Sequence, residues 1–251
     1  MRFWGGVTLS YAVLYAAPMA SWYEWPTAQG WRFFNDGTEW KQMDKLGHAW
    51  TTYHLSAIYR DWALACGYSH RSARFIGSLV AWSFQASIEI ADGFFPKWGA
   101  SPWDMVANTA GTGLFWLAEG LRSTPWRVDL RFSFHPTAYA RQQPDLLGRG
   151  AAQMLKDYNG QTYWLCFFHE RFPVGIAIGH GATGLLGGYG QLPQALIAQR
   201  EKRQWLLSLD PHWEKLLRRP RWALRIFVGI KTPFPALVYA APKVRLAWVY
   251  F

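Results

Sequence analysis

The chain is poor in cysteine. Cys66 and Cys166 are the only two in 251 residues, far apart and at no metal-finger spacing. That excludes a disulfide-built scaffold and a cysteine-ligated zinc module. One disulfide and two buried thiols both stay open. Charge is scarce too: 17% of residues are Asp, Glu, Lys or Arg, against about 25% in ordinary soluble domains. Long apolar runs are missing. The longest at the N-terminus, Phe3 to Ala17, falls short of the roughly 20 residues a spanning helix needs. A mean hydropathy of -0.10 is low for a fully polytopic membrane protein. There is no Walker lysine, no HExxH, no nucleophile elbow, no long internal repeat and no low-complexity tract.

What is abundant is aromatic. Phe, Trp and Tyr make up 18%, with 17 Trp. Trp and Tyr favour places with one dry and one wet end, which points to membrane interfaces or large ligand surfaces. Charge is also unevenly spread. Residues 1–125 hold 9 Lys+Arg and 9 Asp+Glu, whereas residues 126–251 hold 17 and 7. The whole excess of +10 therefore sits in the second half, where it suits anionic partners such as lipid headgroups. At the N-terminus, Arg2, the apolar run and the small residues up to Ser21 fit a secretory signal. They also fit a short uncleaved anchor ending at Trp22, Tyr23 and Trp25. Cleavage after Ala20 would put Pro18 at the -3 position, which favours the anchor; either sends the chain to the cell envelope.

Helix signals fill the first half. One helix is expected from about Asp44 to Cys66, stopped by Gly67, and a second from about Ser72 to Ala91, closed by Asp92-Gly93. Ser101-Pro102-Trp103-Asp104 places Ser at N-cap, Pro at N1 and an acid at N3 of a third helix, which runs to about Leu121. After Pro125 the period becomes two. Val128, Leu130, Phe132 and Phe134 alternate with Arg127, Asp129, Arg131 and Ser133. Further strands are expected at 162–168, 174–178, 204–209, 235–239 and 244–250. The expected fold class is α+β. A signal or anchor segment (1–25) leads into a membrane-associated bundle of three to four helices (26–125). A basic antiparallel β-sheet or small barrel-like region (126–251) follows. Spanning barrels start at about eight strands, more than the sequence offers.

The helices carry one polar stripe each. Asp44 and His48 are four apart, as are Gln85 and Glu89, and Asp104 and Asn108; Lys45 and Asp92 lie beside them. Isolated polar groups in apolar surroundings cost roughly 2–7 kcal/mol, so the stripes are expected to face one another, with Gly111 and Gly113 allowing close approach. Three readings fit. The cluster could be a structural network, with Lys45 or His48 paired to Glu89 or Asp104. It could bind a polar headgroup or move a proton. It could hold a metal through His48, Glu89 and Asp104, although no second histidine joins them. The spacing names no cofactor.

At these residues a resemblance emerges. Asp44-Lys45-Leu46-Gly47-His48, then Glu89-Ile90-Ala91-Asp92-Gly93, then Trp103-Asp104 through Asn108 to Gly111 resemble the YfiM family, a group of periplasmic lipoproteins without an assigned activity. They are more distantly similar to VanZ-like membrane proteins. The likeness covers about residues 33–120. Segments 155–165 and 206–210 look like the β-rich tail of longer YfiM-type members. The resemblance implies envelope location and no reaction. Its lipoprotein label does not carry over, because the first cysteine is Cys66.

Lys215, Arg218, Arg219, Arg221 and Arg225, interleaved with Trp213 and Trp222, form a candidate headgroup-binding segment. Nucleic acid is disfavoured, since no recognition motif accompanies them. Gly179 to Gly184 lacks a phosphate-loop context, and His135, His169 and His180 are too scattered for a metal. The leading functional expectation is a non-enzymatic envelope factor that binds lipid or an envelope protein partner. The alternative is an intramembrane enzyme or transporter-like element using His48 as base with Glu89 or Asp104.

Overall fold

The computed structural model describes residues 2–22, 30–95, 98–187, 201–217 and 228–250. Four long helices come first: α1 (Arg2–Trp22), α2 (Met43–Ala65), α3 (His70–Asp92) and α4 (Pro102–Leu121). Six strands follow: β1 (Trp126–Phe134), β2 (Gln161–His169), β3 (Val174–Thr183), β4 (Lys202–Pro211), β5 (Phe234–Ala240) and β6 (Lys243–Tyr250). The class is α+β, with helices before an antiparallel sheet. By contacts the chain divides into a helical unit (Met1–Gly37, Thr51–Trp116) and a sheet unit (Thr38–Trp50, Leu117–Phe251). The first two turns of the continuous helix α2 thus count with the sheet unit.

Local chemistry sets the helix ends. Gly67 adopts φ +90, open to glycine without a Cβ penalty, and Tyr68 N–H reaches back to the Ala63 carbonyl. Ser69 then caps α3 by accepting the Ser72 N–H, two residues earlier than the expected start. Ser101 caps α4 as its sequence implied, its hydroxyl accepting the Asp104 N–H at 3.1 Å. In the helical unit, Phe3 and Val7 of α1 are buried against Tyr59, Ala63, Ala73, Val80 and Ala81. The Tyr11 hydroxyl donates to the Val80 carbonyl, and Ser10 bonds Tyr59.

Among the described residues, no helix is long and apolar enough to cross a membrane. This corrects the transmembrane reading of the expected membrane-associated bundle. The helices have the length, but polar residues recur on every turn or two: Asp44, His48, Thr52, Arg60 and Asp61 on α2, for example.

The sheet is a six-stranded antiparallel meander in chain order. It curls so that Tyr250 of β6 meets Trp164 of β2, ring centroids 5.8 Å apart, and bonds Thr162. Trp164, Cys166 and Phe168 of β2, Ala177 of β3, Leu206 of β4 and Val238 of β5 fill the enclosed side. Ile230 and Lys231 lie along the outer edge of β1, where the Lys231 N–H bonds the Phe132 carbonyl.

Two strand expectations change. The pattern of β1 suggested one wet face, yet Arg131 and Ser133 are buried as deeply as Val128 and Leu130. The Arg131 guanidinium turns inward and meets Asp210 at 2.6 Å and Asp129 at 3.3 Å. In β6, strict alternation would put Tyr250 on the same face as Val244, Leu246 and Trp248. A register shift between Phe234 and Ala236 moves it to the enclosed side, because an extra residue in one strand flips the side-chain parity beyond it.

His180 of β3 sits edge-on to Trp205 of β4, centroids 4.8 Å apart. Its Nδ1 is buried without a hydrogen-bond partner. Burial, then the nearby Arg203 cation, lower its pKa from 6.5 to about 4. The folded protein therefore favours the neutral ring, whereas the unfolded chain takes up a proton below pH 6.5. Stability should be full above about pH 6.5 and fall as the pH drops from there toward 4. Chemical denaturation across that range should show the slope flattening in His180→Gln.

Candidate functional site

The polar stripes converge inside the helical unit. Thr52 of α2 donates to the Asn108 side-chain oxygen at 3.0 Å, and Gln85 of α3 approaches the same oxygen at 3.4 Å. Thr52 and Asn108 are fully buried. One layer thus ties three helices together through one amide of α4. α3 runs antiparallel to both neighbours: Gly77 lies against Ser56 and Arg60 of α2, while Ser78 bonds Trp116 of α4 and Trp82 bonds Thr109.

A second group forms around Ser101. Its backbone N–H donates to Glu89 Oε2 at 3.1 Å, and its hydroxyl donates to Asp36 Oδ1. Asp104, at N3 of α4, is fixed through its own N–H to Ser101. Carboxylate oxygens of Glu89 and Asp104 lie within 4.8 Å of one another, as do those of Asp36 and Asp104. Glu89 is 3% exposed and Asp104 6%. Carboxylates this close and this dry call for a positive charge: a protonated histidine, a lysine or a metal ion. The positive end of α4 supplies part of it.

The remaining sequence candidates fall as follows. His48 is half-buried on α2, one turn before Thr52 on the same face. In the first turn of α2, the Lys45 ammonium pairs with Asp44 at 2.7 Å, and Lys45 is itself buried. Burial, then the Asp44 carboxylate, push the Tyr163 hydroxyl pKa up. Asp92 is half-buried at the end of α3, its backbone carbonyl accepting from Phe95 and Gly99. Gly111 is buried, but a Cβ on Gly113 would meet nothing within 4 Å. Gly77, which the sequence did not single out, makes a close backbone approach to α2. Asp36 was also missed: Asn35-Asp36-Gly37 carries only a local turn signal, and only the fold brings it to Ser101. The Lys215 ammonium donates to the carbonyls of Glu170 and Arg171, closing a loop of its own chain. Arg218, Arg219, Arg221 and Arg225 lie outside the described residues.

Residues 28–119 match a known family. Its model is described as "predicted periplasmic lipoprotein", DUF2279. The matched segment contains every member of the polar groups above, from Asp36 to Asn108. It supports an uncharacterised, envelope-associated family for this part of the chain, and with it cell-envelope association. Neither a curated protein nor a solved structure matches the chain.

Proposed function

We propose that the protein is a non-enzymatic envelope factor that binds membrane lipid, with the polar stripes organising its helical unit. The observation that carries this reading is the outward surface of α3 and α4. Phe75, Leu79 and Ile90 on α3, and Trp103 and Val106 on α4, are about half exposed or more. From Phe75 to Ile88 and from Met105 to Ala118 neither helix carries a charge. A water-facing helix surface ordinarily does, and contiguous apolar surface marks a binding face for lipid or protein. The envelope-family match agrees with a lipid partner, and an envelope protein is the other partner such a surface serves. We also take the motifs at 44–48, 89–93 and 103–111 as YfiM-like and distantly VanZ-like.

The polar stripes have a role of their own. Helix geometry advances 5.4 Å per turn. One turn along from Thr52, Gln85 and Asn108 stand His48, Glu89 and Asp104, since α3 runs opposite to α2 and α4. We assign Glu89 and Asp104, both held by Ser101, to a second polar layer on α3 and α4. Buried polar layers of this kind fix helix register. On the alternative reading the same layer is a reaction or cation site for a lipid-linked substrate, with His48 as base. Its geometric support is the close Glu89–Asp104 approach.

His48→Ala and Glu89→Gln separate the two. We expect each to lower stability by about 1–3 kcal/mol in thermal melts. Complementation of a strain lacking the gene should decline only in step with the amount of folded protein. Variants that melt and localise like wild type yet fail to complement would favour the reaction site instead.

A further inference from the structure

We propose that the outward face of β3–β6 docks into one leaflet of a lipid bilayer with anionic headgroups. This rests on the lipid-binding reading and assigns it a surface that the helical faces do not include.

The outward face of the sheet is unlike that of a sheet that meets water. In an ordinary half-solvated antiparallel sheet, apolar residues pack inward and charged ones face out. Here the enclosed side holds Arg131, Asp210 and Lys231, each 2% exposed or less. The open side carries Ile178, Leu207, Leu237 and Leu246, which are cross-strand neighbours in register. All four are nearly half exposed, at 47–49%. Ile176 and Leu209, also paired, extend the patch toward one end of the strands. Trp205 and Tyr239 pair at the other end. Four adjacent strands thus expose a single apolar field whose other side is packed.

The Trp205–Tyr239 end of the field follows the order of a membrane interface. Past Trp205 along β4 come Arg203 and Lys202, and past Tyr239 the chain turns into Lys243. All three are exposed cations. Apolar rows, then Trp and Tyr, then basic side chains is the sequence of environments from acyl chains through the interface to anionic headgroups. The depth fits as well. From Ile176 to His180, or Leu209 to Trp205, is four residues, or roughly 13 Å of strand. The hydrocarbon core is about 30 Å thick, so this field reaches through one leaflet.

Flotation of the full-length protein on vesicles tests the assignment. Vesicles of phosphatidylethanolamine with phosphatidylglycerol would be compared with vesicles of phosphatidylcholine alone. The wild type should float with the former and less with the latter. Leu207→Asp/Leu237→Asp should reduce flotation at least tenfold, since two side chains lose their transfer into hydrocarbon. Its thermal midpoint should fall by only a few degrees, because both sites are about half exposed and the cost is limited to two like charges facing each other across the strands. Met154→Asp/Leu155→Asp, at exposed sites between β1 and β2 that belong to neither apolar face, should retain flotation. A sheet variant that floats like wild type overturns the inference and leaves the lipid reading standing. A wild type that floats with neither vesicle overturns both. A sheet variant that changes the mass in light scattering while flotation is unaffected identifies a second copy as the occupant, and likewise overturns the inference.

Discussion

Asp210→Ala should be among the most destabilising single substitutions in the sheet unit. Asp210 is fully buried and accepts from Arg131 at 2.6 Å, with Lys231 at 3.6 Å and the Thr232 N–H at 3.2 Å. Burial pushes the Asp210 carboxyl up and the Lys231 ammonium down, in each case against the pull of the opposite charges. Desolvation therefore outweighs attraction at Asp210 and Lys231, whereas at Arg131 burial is outweighed by the pull of Asp129 and Asp210. Removing one partner leaves two cations in the enclosed side with Asp129 to share. The expected cost is about 3–5 kcal/mol, a large part of the roughly 5–15 kcal/mol of a typical domain. Urea denaturation followed by tryptophan fluorescence measures it. The same reasoning predicts that Arg131→Met/Asp210→Leu/Lys231→Met recovers part of the loss, because only the half-buried Asp129 carboxylate then remains on the enclosed side. A single variant within 1 kcal/mol of wild type would show that water reaches the cluster.

Gly77→Val should be the matching lesion in the helical unit. A Cβ at Gly77 would lie 2.5 Å from the Arg60 backbone nitrogen, 2.7 Å from the Ser56 carbonyl oxygen and 2.9 Å from Arg60 Cα. All three are backbone atoms, so no rotamer change makes room, and α2 and α3 must separate. Overpacking a core costs about 1–3 kcal/mol, and valine adds two methyl groups to the clash. Separation would also strain the Thr52–Asn108–Gln85 layer two turns away. Gly113→Ala is the control. With open space around it and a preference for alanine of about 1 kcal/mol in a helix, that change should raise the thermal midpoint slightly. If both variants melt alike, close backbone approach does not govern this packing.

Much of the architecture was legible because its signals are local. The serine cap and proline at the start of α4, the glycine after α2 and the switch to a period of two after Pro125 each depend on a few adjacent residues. All six strands lie where alternation and turn residues put them. The stripes on α2, α3 and α4 were equally readable, since residues four apart share a helix face. What misled was composition. Few charges and many tryptophans suggested helices embedded in a membrane, whereas polar residues recur too often for any described helix to span one.

The candidate site divides along the same line. By itself the sequence determined that Glu89, Asp104 and Asn108 lie on polar stripes and that Ser101 caps the helix bearing two of them. Only the tertiary structure decided that Asp36 joins Ser101, that Gly77 rather than Gly113 is the close contact, and that Arg131 turns inward to Asp210. Those outcomes depend on groups 17 to 79 positions apart in the chain, brought together by packing. A buried charge chooses its face according to where its counter-ion sits, and alternation along one strand carries no information about that.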